Sequence, residues 1–593
     1  MTYYFMDNNK QNQLNNLRHS CAHLLAAAVL KFYPDAKPTI GPSIDEGFYY
    51  DFDFDNVKIS EDDLPKIEEE MKKMVKSWDG FERIEKSSDQ AIEYFKNNPY
   101  KLELIEELIQ KGEKITFYKS GDFIDLCRGG HTPYPKSNIK HFKLLSIAGA
   151  YWRGDEKNKM LTRIYGTAFP TKDELEKYLW QKEEAKKRDH RKLGAELELF
   201  TFDDMVGPGL VLWLPKGTII REELERFAKK TEKAWGYQRV ATPHLAKKIL
   251  FETSGHLPYY KESMYPGMKL DDGEYYLKAM NCPAHHLIYR SKPRSYKDLP
   301  IRLAEYGTVY RYELSGTLAG LLRVRGMTMN DSHIYCRKDQ IKSEFLRVVE
   351  LHKYYYKVFG ITDYYMRLSL HDPKNKSKYI DEPDSWSFSE NAIREVLKES
   401  KLPFIEKMDE AAFYGPKVDF QIKSVIGREE SISTVQLDFA AKKRFNLNYI
   451  DNDGKEKEVY VIHRAPLGTH ERFIAFLIEH YAGKFPLWLS PVQLTLIPIS
   501  EKHVDTSRII ADHLISKDFR VEVDDRNERM QAKIRDATLQ KVPFIGIIGD
   551  KEIERFDAKN PEEALISLRK RDEGDLGQNS ISEILQTFQK ELE

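Results

Sequence analysis

Between residues 200 and 490 strand signals come in clusters rather than one for one with helices, and that rhythm decides the fold class. Gly209-Leu-Val-Leu-Trp-Leu-Pro reads as a buried strand and 219–236 as an amphipathic helix. Ile301 to Glu313, Val435 to Phe439 and Glu458 to His463 read as further strands. A doubly wound parallel sheet needs a crossover helix after each strand, so this segment is expected to form an antiparallel sheet. After Ser490-Pro491 the rhythm changes. Val492–Ile499, Arg520–Val523 and Phe544–Ile548 read as strands, with helices at Val504–Ser516 and Met530–Gln540, which implies a small parallel or mixed sheet.

The 593 residues are too many for one core, and the prior from length is three or four domains. Ahead of the central block, His19 to Tyr33 has helical periodicity. Phe48-Tyr-Tyr-Asp-Phe-Asp-Phe alternates as a half-buried strand would, and Leu64 to Val75 reads as a helix. Lys172 to Leu199 reads as one long connecting helix; its basic run Lys186, Lys187, Arg188, Arg191 and Lys192 suits a solvated face as well as RNA. The chain is therefore expected to be α+β and multidomain, divided 1–170, 171–199, 200–490 and 491–593. No internal repeat or low-complexity tract interrupts it.

Charge and cysteine content narrow the setting. Net charge is −1, so any attraction for nucleic acid must come from local basic patches. The four cysteines, Cys21, Cys127, Cys282 and Cys336, are scattered, which argues against a disulfide framework and for a reducing compartment. Met1 to Asn16 is polar and lacks the apolar segment of a signal peptide, and Leu24 to Leu30 is too short to cross a bilayer. A cytoplasmic protein with no membrane partner is expected.

Two motifs offer ligands at four-residue spacing. His19-Ser-Cys-Ala-His23 places two imidazoles on one helix face, and Asp125-Leu-Cys-Arg-Gly-Gly-His131 adds Cys127 and His131. Together they suit a zinc site or a hydrolytic pocket, and composition does not choose between them. Cys282, His333 and His463 have no local spacing that links them. Arg311, Glu313, Arg323 and Arg325 cluster in 306–330, with Arg311 and Glu313 alternating as on one strand face. Ser315 to Gly320 reads as a mobile loop. There is no Walker phosphate loop and no dinucleotide glycine fingerprint, so a nucleotide site here must rest on arginines carried by a sheet.

In order, three segments resemble the class II aminoacyl-tRNA synthetase motifs: Arg226 to Pro243, Tyr310-Arg-Tyr-Glu through Arg323-Val-Arg-Gly, and Gly468 to Phe476. Met280-Asn-Cys-Pro, Phe413-Tyr-Gly-Pro-Lys417, Thr434-Val-Gln-Leu-Asp-Phe439, Tyr151-Trp-Arg-Gly-Asp and Arg163-Ile-Tyr-Gly-Thr narrow the resemblance, with the two His/Cys motifs, to the threonyl-tRNA synthetases. It covers the chain from about Leu17 onward; 16 residues precede that point, where bacterial members usually carry a small ubiquitin-like domain.

The resemblance implies an N-terminal editing domain, a class II catalytic core, a C-terminal anticodon-binding domain and a homodimer formed through the first motif. It implies zinc on Cys282, His333 and His463, with Met280, Asp331 and Tyr414 around threonine. ATP, with Mg2+, would meet Arg311 at the α-phosphate and Glu313 at the adenine amino group. Arg323 and Arg472 would bind the γ-phosphate or flank adenine. Lys417, Thr434 and Gln436 would complete the pocket, with Arg311, Lys417, Gln436 and Arg472 acting in catalysis. His19, His23, Cys127 and His131, helped by Asp125, Lys101 and Tyr50, would remove serine from tRNA(Thr). Asn527, Arg535, Glu552 and Arg569 would face the anticodon.

The chain departs from the family at Met327 and Met329, where phenylalanine and glutamine are usual. Methionine sulfur can pack an adenine ring, so Met327 is expected to cover it; Met329 cannot supply glutamine's hydrogen bonds. Three rivals remain: a synthetase-like tRNA-binding regulator that no longer aminoacylates, a stand-alone editing hydrolase, and a prolyl-type synthetase. The first would lack the phosphate arginines or zinc ligands, the second would leave two-thirds of the chain unexplained, and the third would not need both His/Cys sets.

Overall fold

The computed structural model describes residues 8–554 and 556–592. Of the polar stretch Met1 to Asn16, residues 1–7 lie outside the described residues. The chain forms two compact units, one ending at Lys182 and the other starting at Glu183.

In the first unit, helix α1 (Asn8–Phe32) is buried almost all round from Leu17 to Val29 and forms the unit's axis. It packs on a five-stranded antiparallel sheet containing β1 (Gly47–Asp53), β3 (His141–Tyr151) and β4 (Met160–Phe169), with α2 (Leu64–Met74) alongside. Strand β1 is buried on both faces, not half-buried as its alternation suggests. Phe48, Tyr50 and Phe52 join the apolar core. The acidic positions survive burial because each is paired: Asp51 with Arg163 at 2.7 Å, and Asp53 with Lys159 at 2.8 Å and Tyr100 at 2.7 Å. A second, three-stranded sheet ends in β2 (Phe123–Leu126), whose following loop carries Cys127 to His131.

The helical stretch 172–199 is two helices, α3 (Lys172–Arg188) and α4 (His190–Glu196). Asp189 breaks it: its backbone leaves the helical region and its side chain caps the Arg191 N–H.

The second unit is built on an eight-stranded sheet. Its core strands are β5 (Ile301–Tyr310), β6 (Gly326–Cys336), β7 (Tyr364–Ser369), β8 (Lys417–Lys423), β9 (Glu429–Asp438) and β10 (Tyr460–Ala465). They run in the order β5-β6-β10-β9-β8-β7, all antiparallel; parallel pairs occur only with the short outer strands Gln238–Arg239 and Phe404–Lys407. Strand alternation splits the residues by face. Ala304, Ile334, Ile462, Leu437, Val435 and Val418 share one apolar core with α5 (Pro215–Ala234), α7 (Ile341–Val358) and α8 (His470–Tyr481). Glu305, Asp331, His333, His463, Gln436 and Lys417 fall on the other face, which α6 (Cys282–Arg290) partly covers.

Two strand readings are corrected. In the 209–215 stretch only Leu212–Trp213 pairs, and Leu212 is exposed; Gly209 at φ 75° and Pro215 at the start of α5 leave no room for more. Strand β5 ends at Tyr310, so Arg311 and Glu313 lie beyond the ladder, held by Arg311 N to Arg325 O at 2.9 Å.

The C-terminal part has parallel strands β11 (Leu494–Pro498), β12 (Val521–Val523) and β13 (Phe544–Ile548), with α9 (Val504–Ser516) and α10 (Met530–Leu539) between them. Two antiparallel strands the sequence did not suggest, β14 (Leu565–Lys570) and β15 (Gly574–Ser580), complete a mixed sheet.

Candidate functional site

One transverse row of the large sheet gathers much of the expected chemistry. Lys417 is opposite Gln436, Gln436 is opposite His463, and His463 is opposite His333. Directly opposed residues in an antiparallel sheet project to the same face, so four strands deliver four side chains side by side. Cys282, at the first position of α6, completes a buried group with His333 and His463 whose ligand atoms lie within 4.8 Å of one another. The sequence could not link these residues, because the link is the register of β6 against β10.

The surroundings suit a metal. Asp438 accepts from the Ala440 and Ala441 N–H groups and lies 3.1 Å from His463 Nε2. Burial holds the His333 imidazole far below its ordinary pKa, so it stays neutral and able to coordinate. Burial, with the Asp331 and Asp438 carboxylates nearby, likewise pushes the Cys282 thiol up, and a bound cation would favour the thiolate. Around this group, Asp331 accepts from Asn281 Nδ2 at 3.1 Å, Tyr414 bonds to Gln436, and Lys417 pairs with Asp419 at 2.9 Å. Met280 Sδ lies 3.0 Å from His256 Nε2. Thr434 Oγ1 and Asn281 Oδ1 are buried without a hydrogen-bond partner among the described residues. His285 and His286 also enter the cluster from α6: His285 Nδ1 is 2.7 Å from His333 Nδ1, and His286 Nδ1 is 3.0 Å from Tyr335 OH. Sequence reasoning passed over both, although Cys282-Pro-Ala-His285 displays a Cys-x-x-His spacing.

The arginines lie at the upper end of β5 and β6. Arg323 pairs with Glu313 at 2.8 Å, so the two residues expected at phosphate and adenine hold each other here. Arg311 Nε reaches the Ala279 carbonyl at 3.4 Å, and Arg472 Nε reaches Leu322 O at 3.3 Å. Burial lowers the Arg472 pKa; Glu430 and Glu313 pull it up while Arg311 and Arg323 push it down, so the three arginines share one site with two carboxylates. The expected mobile loop is two short 3-10 turns, Ser315–Thr317 and Gly320–Leu322, tethered where Leu321 N donates to His190 Nε2 at 3.2 Å. Met327 is buried against Val309 and Val324, and half-buried Met329 packs on the same cluster.

In the first unit the four-residue spacings converge. His19 and His23 on α1 meet Cys127 and His131, with donors within 4.8 Å of one another. Cys127 Sγ is 3.3 Å from His131 Nε2 and 3.6 Å from His19 Nε2. Gly129 and Gly130, at φ 103° and 85°, make the turn that brings Cys127 and His131 together. A cavity of about 420 Å³ is lined by His19, His23, Tyr50, Lys101, Asp125 and Cys127. His131 stands outside that lining, stacked on Phe81 at 3.9 Å. Lys101 and Asp125 pair at 2.5 Å deep in the wall, and Tyr50 bonds to the same carboxylate. Burial lowers the pKa values of His19, His23 and His131, and pushes the Cys127 thiol up to about 11. The pocket therefore offers neutral imidazoles and a protonated thiol: bases or ligands, not a thiolate nucleophile.

The four C-terminal positions lie on different elements. Asn527 is in the loop after β12, Arg535 on α10 and Arg569 on β14. Glu552 is buried and accepts from Gly549 N, Ser567 Oγ and Gln578 Nε2 at 2.9–3.0 Å, so it fixes the local backbone.

Comparison with known proteins matches three family models: the tRNA synthetase class II core domain (G, H, P, S and T) over residues 265–481, an anticodon binding domain over 493–591, and the threonyl and alanyl tRNA synthetase second additional domain over 115–165. A threonine–tRNA ligase of Cytophaga hutchinsonii is 51% identical over 97% of this chain and 88% of its own length. One of Staphylococcus carnosus is 53% identical over 91% and 84%. Among solved structures, the RNA binding domain of threonyl-tRNA synthetase from Cryptosporidium parvum matches with a TM-score of 0.63 at 34% identity, over 68% of this chain and 98% of that one. With a class II core, an anticodon-binding domain and this identity over nearly its whole length, the chain belongs to the threonine–tRNA ligases.

Proposed function

We propose that this protein activates L-threonine with ATP, transfers it to the 3′ end of tRNA(Thr), and hydrolyses serine wrongly attached to that tRNA. The observation that carries the reading is the row Lys417–Gln436–His463–His333 with Cys282 against it. Three buried donors within one ion's reach, each histidine backed by a hydrogen-bond partner, fit zinc. A zinc ion held there would supply an electrophilic anchor for the amino and hydroxyl groups of threonine. Asp331 would accept the hydroxyl proton and Tyr414 would flank the amine. Arg311 meets the α-phosphate and Arg472, with Arg323, the outer phosphates, while Mg2+ enters with ATP. Glu313 then exchanges Arg323 for the adenine amino group.

Discrimination follows from the same site. Valine has no hydroxyl to offer, and sites built to read a hydroxyl reject its absence by roughly 10⁴–10⁵. Serine lacks one methyl, worth only about 1–3 kcal/mol, so a second site is required. The N-terminal cavity supplies it: Lys101 and Asp125 form its polar wall, and the neutral histidines can take a proton from the attacking water. Homodimer formation through the first motif, Arg226 to Pro243, and a cytoplasmic location complete the reading. Among the described residues no helix is long and apolar enough to cross a membrane.

ATP–pyrophosphate exchange with threonine, serine, valine and proline tests the assignment. Threonine is expected to drive exchange, serine to do so weakly, and valine and proline not at all; exchange driven by proline alone would overturn it. In parallel, Cys282→Ala should lose both bound zinc and threonyl-adenylate formation. Full zinc occupancy in that variant rejects the metal assignment.

A further inference from the structure

His285 is completely buried, and both of its ring nitrogens are engaged. Nε2 lies 3.0 Å from Glu305 Oε2, and Nδ1 lies 2.7 Å from His333 Nδ1. Glu305 stands on β5 opposite Asp331, one same-face step from Leu303, the residue opposite His333. Its other oxygen accepts the Thr242 N–H at 2.8 Å, with Lys278 Nζ 3.7 Å away.

We propose that His285, backed by Glu305, is a positioning residue that fixes the tautomer of His333 and so decides which nitrogen of that ring is offered to the metal. The inference rests on the reading that Cys282, His333 and His463 hold zinc. A carboxylate only accepts, so the proton on the Glu305 side belongs to His285 Nε2. A zinc cation held beside it disfavours a second proton on His285, and the ring is then bare at Nδ1. A 2.7 Å contact between two ring nitrogens needs one proton between them, and only His333 Nδ1 can supply it. His333 is left with its lone pair on Nε2. His463 reaches the opposite result by a direct route: its Nε2 faces Asp438, so Nδ1 keeps the lone pair. The two ligand rings are thus locked as different tautomers by two separate carboxylates.

Glu305→Gln changes the polarity of this relay without changing its volume. Thr242 N–H still requires an acceptor, so the amide oxygen stays there and the NH2 turns to His285. His285 must then accept at Nε2 and donate from Nδ1, which pushes the His333 proton onto the nitrogen the metal needs. Competition with a chromogenic chelator should show zinc bound about 10- to 100-fold more weakly in Glu305→Gln and in His285→Ala. Cobalt-substituted Glu305→Gln should also show a weakened cysteine-to-cobalt absorption band. Zinc affinity in folded Glu305→Gln within twofold of the parent overturns the inference. If neither variant folds, long-range ¹⁵N–¹H correlation on histidine-labelled, zinc-loaded parent protein decides: a protonated Nδ1 at His333 supports the relay and a protonated Nε2 refutes it. Parent protein that holds no zinc at all fails the metal assignment itself, a result separate from zinc that binds unchanged in the variants.

Discussion

Glu471 shows how one buried carboxyl shapes pH dependence. It accepts the Thr328 N–H at 3.1 Å, and burial pushes its pKa from about 4.5 in the open chain up to about 7. The folded state therefore holds a proton that the unfolded chain sheds from about pH 4.5 upward. Stability from this group is complete below that value and falls as pH rises to about 7. Glu471→Gln keeps an acceptor for Thr328 and removes the titration. The variant should be more stable than the parent by about 2–4 kcal/mol at pH 8 and nearly equal to it at pH 5. Chemical denaturation at the two pH values checks this, and equal stability at pH 8 refutes it. Met327 is a second case. The sequence marks it as a departure at the adenine position, and the structure adds a packing role against Val309 and Val324. Met327→Ala should raise the KM for ATP and also cost about 2–4 kcal/mol of stability. An unchanged KM would leave packing as its whole role. Residue identity alone could show the departure but not the cluster beneath it, because Val309 meets Met327 only through the strand register.

At the scale of elements, periodicity revealed what local sequence controls. Helices α2, α9 and α10 lie close to where their apolar repeats put them, whereas α1 starts at Asn8, well ahead of the expected His19. It missed what tertiary context controls: the end of β5 before Arg311, the shrinkage of the 209–215 strand, and the short strands β14 and β15. The His19–His23 and Cys127–His131 pairs were legible because each sits within one turn or one loop. The Cys282–His333–His463 set was not, since it is assembled by the pairing of β6 with β10. The attachment of α5 to the back of the same strands was equally silent. Glu232 on α5 pairs with Arg464 at 2.8 Å, both fully buried, and also accepts from Asn330 and Arg239. Removing one partner of such a pair leaves a buried charge uncompensated, so Glu232→Ala should cost about 3–5 kcal/mol. Glu232→Met combined with Arg464→Met should recover most of that loss in urea denaturation, and failure to recover would assign the cost to lost volume instead.

For the whole molecule, the two chemistries occupy different compact units. The His19/His23/Cys127/His131 group lies entirely in the unit ending at Lys182, and the Cys282/His333/His463 row entirely in the unit starting at Glu183. No side chain is shared, so single substitutions should separate the two reactions. Lys101→Ala removes the partner of buried Asp125 and unbalances the cavity wall. It should reduce hydrolysis of pre-formed seryl-tRNA(Thr) by about 10²-fold or more, in line with loss of a positioned catalytic group. Threonine-dependent ATP–pyrophosphate exchange should remain at the parent level. Cys282→Ala should give the reverse, abolishing exchange while pre-formed seryl-tRNA(Thr) is still cleaved at the parent rate. Serine would then accumulate on tRNA only in the first variant, because only there does activation continue without removal. If Lys101→Ala instead lowered exchange as much as hydrolysis, the two sites would have to communicate, and the assignment of one reaction to each unit would fall.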